Sequence, residues 1–239
     1  MSVGSPVYAP RQVRQLAADV RVARVAPGLW VHTTTAPPDQ GIGAYPANGM
    51  LLETADGSVL IDTGWNDAQA RTLMAWARDA LHRPVRRAVV THYHDDRTGG
   101  INALRGAGVE VRGLALTREL ALREGNPAPD SVPGLAERPW SDPAGFEVRY
   151  AGPGHTRDNV VVWFPAQHLL FGGCMVKSDT ATTVGNVRDA DVAAWPRTVA
   201  SVRAAYPAVR LVVPGHGRVS APDALTHTEQ LIGTKAPRG

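Results

Sequence analysis

The sequence predicts an α/β chain of mixed β-sheets with helices packed on their outer faces, and three observations predict it. Hairpin signals crowd the first third of the 239 residues. Strand and helix patterns alternate after that, and side chains suited to chemistry recur at the ends of apolar strands. Strand ends carry side chains from a rigid sheet onto one edge, where they converge.

The elements follow in order. Residues 20–25 and 28–33 carry β-branched, extended patterning. Segments 49–53 and 58–62 flank the turn pair Asp56-Gly57 as a hairpin. Residues 34–47 are rich in Pro and Gly, with Ile42 and Tyr45 as bulky apolar members, and read as a mobile loop or flap. Residues 67–81 place Ala70, Leu73, Met74, Ala77 and Leu81 on one helical face, with Asp67 as the candidate cap. A buried strand at 87–91 runs straight into HYHDDRTGG, and a short helix begins near Gly100. A strand at 109–112 and a helix at 117–124 come next. Strands are expected at 148–151, 159–164 and 168–171, the last two joined through Pro165-Ala166-Gln167. A helix at 191–205, a strand at 210–213 and a helix at 222–232 complete the pattern. Without repeats or long linkers, residues 18–239 read as one domain and 1–17 as a flexible or trimmed N-terminal extension.

Composition narrows the function. The 25 basic and 22 acidic side chains are interleaved, and no block of five like charges forms a stripe for nucleic acid. No apolar run approaches the roughly 18 residues that span a bilayer. The opening MSVGSPVYAPRQVRQ offers no apolar stretch for a signal peptide. Cys174 is the single cysteine, so an intramolecular disulfide is impossible.

Five segments end an apolar strand on a polar, ligand-type residue: VLIDTGW, AVVTHYHDDRTGG, VRYAGPGHTRDN, LLFGGCMVK and LVVPGHG. They contain four of the eight histidines, namely His92, His94, His155 and His216. His32, His82, His168 and His227 lack that setting and read as loop or surface residues. Histidines two apart on an extended segment project to one side and can reach the same cation. Asp96 follows two residues later, and the full string His-x-His-x-Asp-Arg-x-Gly-Gly is specific. Gly154-His155, Gly215-His216 and Cys174 are ordinary singly and gain weight at successive strand ends. Zinc takes nitrogen and sulfur ligands in fours and, when catalytic, keeps one position for water. Six donors exceed one such ion and suit two.

HYHDDRTGG, GPGHTRDNVVVWFP, GGCMVKS and VGNVRDADVAAWP together resemble the metallo-β-lactamases, specifically the di-zinc subclass B1. The resemblance runs from about Gly28 to the last helix. Arg97, where the wider superfamily usually has histidine, and Cys174 both point to that subclass. The resemblance implies an αβ/βα sandwich and two Zn²⁺. His92, His94 and His155 would hold the first ion, and Asp96, Cys174 and His216 the second. It implies hydrolysis of the β-lactam amide by a metal-bound hydroxide oriented by Asp96, antibiotic resistance, a monomer, and a periplasmic or secreted location.

Further roles follow from the same resemblance. Lys177, one of only two lysines, would bind the substrate carboxylate. Asn186 is a candidate oxyanion donor, or else a turn residue. Trp65, Ile42 and Tyr45 would wall the substrate, Trp65 reading equally as core. Asp62 would accept a hydrogen bond from a ligating histidine, or simply end its strand. Arg97 would brace the Asp96 and Cys174 side, or pair with a surface carboxylate. A lactone or thioester hydrolase on the same fold, and a non-catalytic zinc or nucleic-acid binder, are the competing classes.

Overall fold

The computed structural model describes residues 11–233. Its strands are β1 (Arg11–Ala17), β2 (Val20–Ala26), β3 (Leu29–Thr35), β4 (Pro46–Thr54), β5 (Gly57–Ile61), β6 (Val85–Val89), β7 (Glu110–Gly113), β8 (Asp130–Ser131), β9 (Trp140–Asp142), β10 (Phe146–Tyr150), β11 (Val160–Phe164), β12 (Leu169–Gly173) and β13 (Leu211–Pro214). The helices are α1 (Asp67–Asp79), α2 (Asp95–Thr98), α3 (Ile101–Gly106), α4 (Ala115–Arg123), α5 (Trp195–Ala205) and α6 (Asp223–Gly233). None is long and apolar enough to cross a membrane.

Two sheets result. The first runs β1 to β8 in chain order, antiparallel through β5 and parallel from β5 onward. The second is ordered β13-β12-β11-β10-β9, with β12 and β13 the parallel pair. Alternation along the strands decides what each face meets. In β4, Met50 and Leu52 point inward to meet Phe164, Phe171 and Val213 of the second sheet. Leu51 points outward and packs with Leu73, Trp76, Ile101 and Leu104 of α1 and α3. In β11, Val162 joins the central core, while Val161 packs under Trp195, Val199, Leu225 and Ile232 of α5 and α6. Four layers therefore stack helix, sheet, sheet, helix, the αβ/βα sandwich expected. Every residue of β5 and β12 is buried because both faces are covered. Truncating a residue such as Leu60 in this packing to alanine costs about 2–5 kcal/mol.

Several local expectations are corrected. Residues 11–17 are not a loose extension but strand β1, paired with β2; residues 1–10 lie outside the described residues. The cap of α1 is Asn66, whose side chain accepts from the Gln69 N–H. Asp67 instead accepts from the Ala103 N–H at 2.8 Å, tying α1 to α3. Helix α5 begins at Trp195 rather than near 191, because Asp191 turns the chain by accepting from the Ala194 N–H and Pro196 opens the first turn. Strand β6 stops at Val89, since the Thr91 N–H leaves the ladder for the Asp62 carboxylate. His32 is no surface residue. It sits in β3, buried, with Nε2 against the carbonyls of Ile61 and Asp62, over a glycine (Gly49) where any Cβ would collide with the ring.

Candidate metal centre

The six candidate donors converge on one edge of the two sheets. The loop after β6 supplies His92 and His94, and the short α2 supplies Asp96 and Arg97. The loop after β10 supplies His155. Cys174 directly follows β12, and His216 lies in the turn after β13. Neighbouring strand ends thus bring together residues up to 124 positions apart.

The donor atoms are close. His92 Nε2 lies 3.1 Å from His94 Nδ1, and the rings of His92, His94 and His155 stand 4.8 to 5.2 Å apart by centroid. Cys174 Sγ lies 3.1 Å from His216 Nε2 and 3.6 Å from an Asp96 oxygen, and that oxygen is 3.3 Å from His216. Three overlapping trios have all their donor atoms within 4.8 Å of one another: His92, His155, Cys174; His92, His94, Asp96; and Asp96, Cys174, His216. His92, Asp96 and Cys174 each belong to two trios, the pattern expected of donors around adjacent ions.

The protonation states suit metal. Burial, reinforced by His94 for His92 and by Lys177 for His155, holds both imidazoles well below the usual histidine range, in the neutral ligand form. Burial opposes ionisation of Asp96, but Arg97 and His216 outweigh it and keep the carboxylate ionised. His216 shows the reverse. Burial opposes a proton there, yet the Cys174 and Asp96 charges raise its pKa to about 9. That corner therefore demands positive charge, which a divalent cation meets. The nitrogen, sulfur and carboxylate donors fit zinc.

Local contacts fix the tautomers. The Nδ1 side of His216 faces the Pro46 carbonyl at 2.8 Å, so Nδ1–H donates and Nε2 turns to Cys174 and Asp96. Asn48 donates from its amide to the carbonyls of Pro214 and Gly217, pinning the same turn. Gly215 between them is obligatory, because a Cβ would lie 2.6 Å from the Cys174 nitrogen and 2.7 Å from Sγ. His94 donates from Nε2 to Asp189 at 3.1 Å, leaving Nδ1 on the His92 side.

Arg97 lies beneath the centre, fully buried. It donates to Cys174 Sγ at 2.8 Å and to the carbonyls of Asn48 and Gly215, and it ion-pairs with Asp96 at 2.8 Å and Asp62 at 3.1 Å. This is the bracing arrangement, and the surface-pair alternative falls away. Asp62 differs from expectation: among the described residues no histidine donates to its carboxylate. It accepts from the Thr91 N–H, the Thr91 hydroxyl and Arg97, from a left-handed backbone position with φ of 60°. Burial raises its pKa to about 7 although Arg97 and Thr91 act the other way.

A cavity of about 610 Å³ opens over the donors. Ile42, Tyr45 and Trp65 line it, as do Lys177 and Asn186. Ile42 and Tyr45 are largely exposed on the loop after β3, where residues Pro38–Gln40 form a 3₁₀ turn. Tyr45 stacks on His216 with centroids 4.4 Å apart, so it touches a donor as well as the cavity. Trp65 serves both readings: it is buried, donates to the Thr34 carbonyl and meets Tyr45 edge-on. Asn186 does form a turn, its Oδ1 accepting from the Arg188 N–H, which leaves its NH₂ as the donor. Sequence reasoning missed Asp95, Glu124, Asn126 and Arg188 at the cavity rim, and Asp189 behind His94. Asp95, Arg188 and Asp189 carried a signal, their places inside the HYHDDRTGG and VGNVRDADVAAWP strings, whereas Glu124 and Asn126 carried none.

Comparison with known proteins agrees with this geometry. A family model described as the metallo-beta-lactamase superfamily matches residues 42–216. A metallo-beta-lactamase type 2 of Bacteroides fragilis is 36% identical over 95% of this chain and 90% of its own length. One from Bacillus cereus is 36% identical over 89% and 82%. Among solved structures, a metallo-beta-lactamase of Erythrobacter litoralis superposes with a TM-score of 0.87 at 36% identity, covering 93% of this chain and 100% of that one. FIM-1 of Pseudomonas aeruginosa, in its mono-zinc form, also gives 0.87, at 32% identity over 93% and 99%. With half its length and more matched by the family model, and with the sandwich and the donor cluster in place, this chain belongs to the metallo-β-lactamase superfamily.

Proposed function

We propose that the protein is a B1-type β-lactamase that opens the cyclic amide of carboxylate-bearing β-lactams with two Zn²⁺. The observation that carries this reading is the Asp96, Cys174 and His216 trio beside the three imidazoles, at the floor of a cavity that Lys177 also lines. His92, His94 and His155 would hold one ion, and Asp96, Cys174 and His216 the other. When bound, such ions would supply Lewis acidity and lower the pKa of water to about 7, so that a nucleophile exists at neutral pH.

The side chains do the rest. Lys177 draws the substrate carboxylate into the cavity, and Ile42, Tyr45 and Trp65 pack against the apolar part of the ring system. The Asn186 NH₂ donates to the lactam oxygen as negative charge develops on it. Asp96 accepts a hydrogen bond from the attacking water and orients it. A carbon–oxygen bond forms, the strained carbon–nitrogen bond breaks, and the expelled nitrogen takes a proton while the new acid gives one up.

One domain carries this activity. It starts at β1 rather than at residue 18, acts as a monomer, and works in the periplasm or outside the cell, consistent with bacterial relatives. The test is turnover of nitrocefin and of a carbapenem, with and without a chelator. Hydrolysis that the chelator abolishes and zinc restores supports the reading; turnover of lactones or thioesters alone overturns it.

A further inference from the structure

Lys177 poses a physical problem. Its side chain is half-buried at the cavity wall, and no acidic side chain among the described residues forms an ion pair with it. Burial pulls its pKa below the usual lysine value, while Cys174 and Asp96 act in the opposite direction. A flexible four-carbon stem ending in an unpaired charge would sample many rotamers. A carboxylate neighbour would fix it, but would also neutralise the charge and compete with substrate.

The structure assigns another holder. Lys177 Nζ lies over the indole of Trp195, 5.2 Å from the ring centroid. A π face attracts a cation without cancelling its charge, and does so most strongly when both are desolvated. Trp195 is itself immobile: it is fully buried in the α5–α6 core, and its Nε1–H donates to the Met175 carbonyl at 2.8 Å. The backbone of Lys177 is anchored separately, its N–H donating to the Thr228 hydroxyl of α6 at 2.9 Å. The indole abuts the site directly as well. His155 lies 5.9 Å away by centroid, and Gly154 approaches so closely that a Cβ would stand 3.1 Å from the Trp195 ring.

We propose that Trp195 is a positioning residue for substrate recognition: its ring holds the Lys177 ammonium in place at the cavity, from a helix that contributes nothing else to that cavity. The proposal rests on the reading of Lys177 as the group that meets the substrate carboxylate.

The experiment compares kcat/KM for one β-lactam as free carboxylate and as its methyl ester, using the zinc-loaded enzyme. Lys177→Ala tests the underlying reading, and if it leaves the acid-to-ester preference unchanged, that reading fails. Trp195 is then probed with a graded series of fluorinated tryptophans placed at this position alone. Fluorination drains the ring face of negative potential with little change in shape, so folding is preserved. The preference for the acid should fall stepwise with each fluorine, by about threefold to tenfold over the series, through KM and not through kcat. In the Lys177→Ala background the same series should have no effect on the preference. A flat series in an enzyme whose Lys177→Ala variant does lose the preference would overturn the role of Trp195. So would a series that acts equally without Lys177, since that is what a merely structural ring would do.

Discussion

The guanidinium of Arg97 donates to Cys174 Sγ at 2.8 Å from a site that solvent does not reach. The same fork meets Asp96 and Asp62, so one cation is shared by a thiol and two buried carboxylates. A planar fork with five donors can do this; an ammonium cannot.

Arg97→Ala should therefore unfold the protein at much lower temperature. It leaves Asp96 and Asp62 buried without their counter-charge, a loss of about 3–5 kcal/mol. Arg97→Lys keeps the charge and loses the fork, so it should fall between the two. Calorimetry of the three proteins checks the order, and a wild-type melting temperature for Arg97→Ala would remove the bracing role.

Cys174→Ser should weaken the second ion more than the first, because a hydroxyl is a poor substitute for a soft thiolate. Competition with a coloured chelator resolves the two affinities. Two ions retained with full activity would show that Cys174 is no ligand.

Asp189→Asn keeps the shape but removes the charge that orients His94 through a 3.1 Å contact. Removal of such a partner lowers metal affinity by about 10- to 100-fold. The effect should fall on the site that holds His94, leaving the Cys174 site nearly as it was. Equal losses at both sites would count against the assignment.

His32 makes stability depend on pH. Burial lowers its pKa from 6.5 to about 4 in the folded chain. The unfolded chain takes up a proton below pH 6.5 that the folded chain refuses until about 4. Its contribution is thus complete above 6.5 and is lost as pH falls toward 4, by about 3 kcal/mol. Denaturant unfolding of wild type and His32→Gln across this window should show their stability gap narrowing with acid. A gap that stays constant would mean the ring is not held neutral.

Lys177→Ala should raise KM for substrates carrying a carboxylate while kcat changes little, since the lost interaction is present before and during reaction. Steady-state kinetics on a penicillin decide it, and an unchanged KM removes Lys177 from substrate recognition.

Much of the architecture was legible because burial imposes a period. The face of α1 and the inward–outward alternation of β4 both follow directly from where apolar residues recur. The errors fell where a side chain overrode that local pattern. Asn66 capped α1 in place of Asp67, and Asp191 held back the start of α5. Strand β1 carries arginines and glutamines beside few apolar residues, so nothing in its pattern separated it from a tail.

By itself the sequence determined which atoms are available to a metal. Zinc accepts few residue types, and six residues of those types cluster at apolar strand ends, a coincidence readable without coordinates. Only the tertiary structure decided what supports them: Arg97 beneath Cys174, Asp189 behind His94, Asp62 held by Thr91, and Trp195 under Lys177. Those pairings join residues 18 to 95 positions apart. They are set by how two sheets and their helices pack, and contacts across such distances leave no period along the chain to be read.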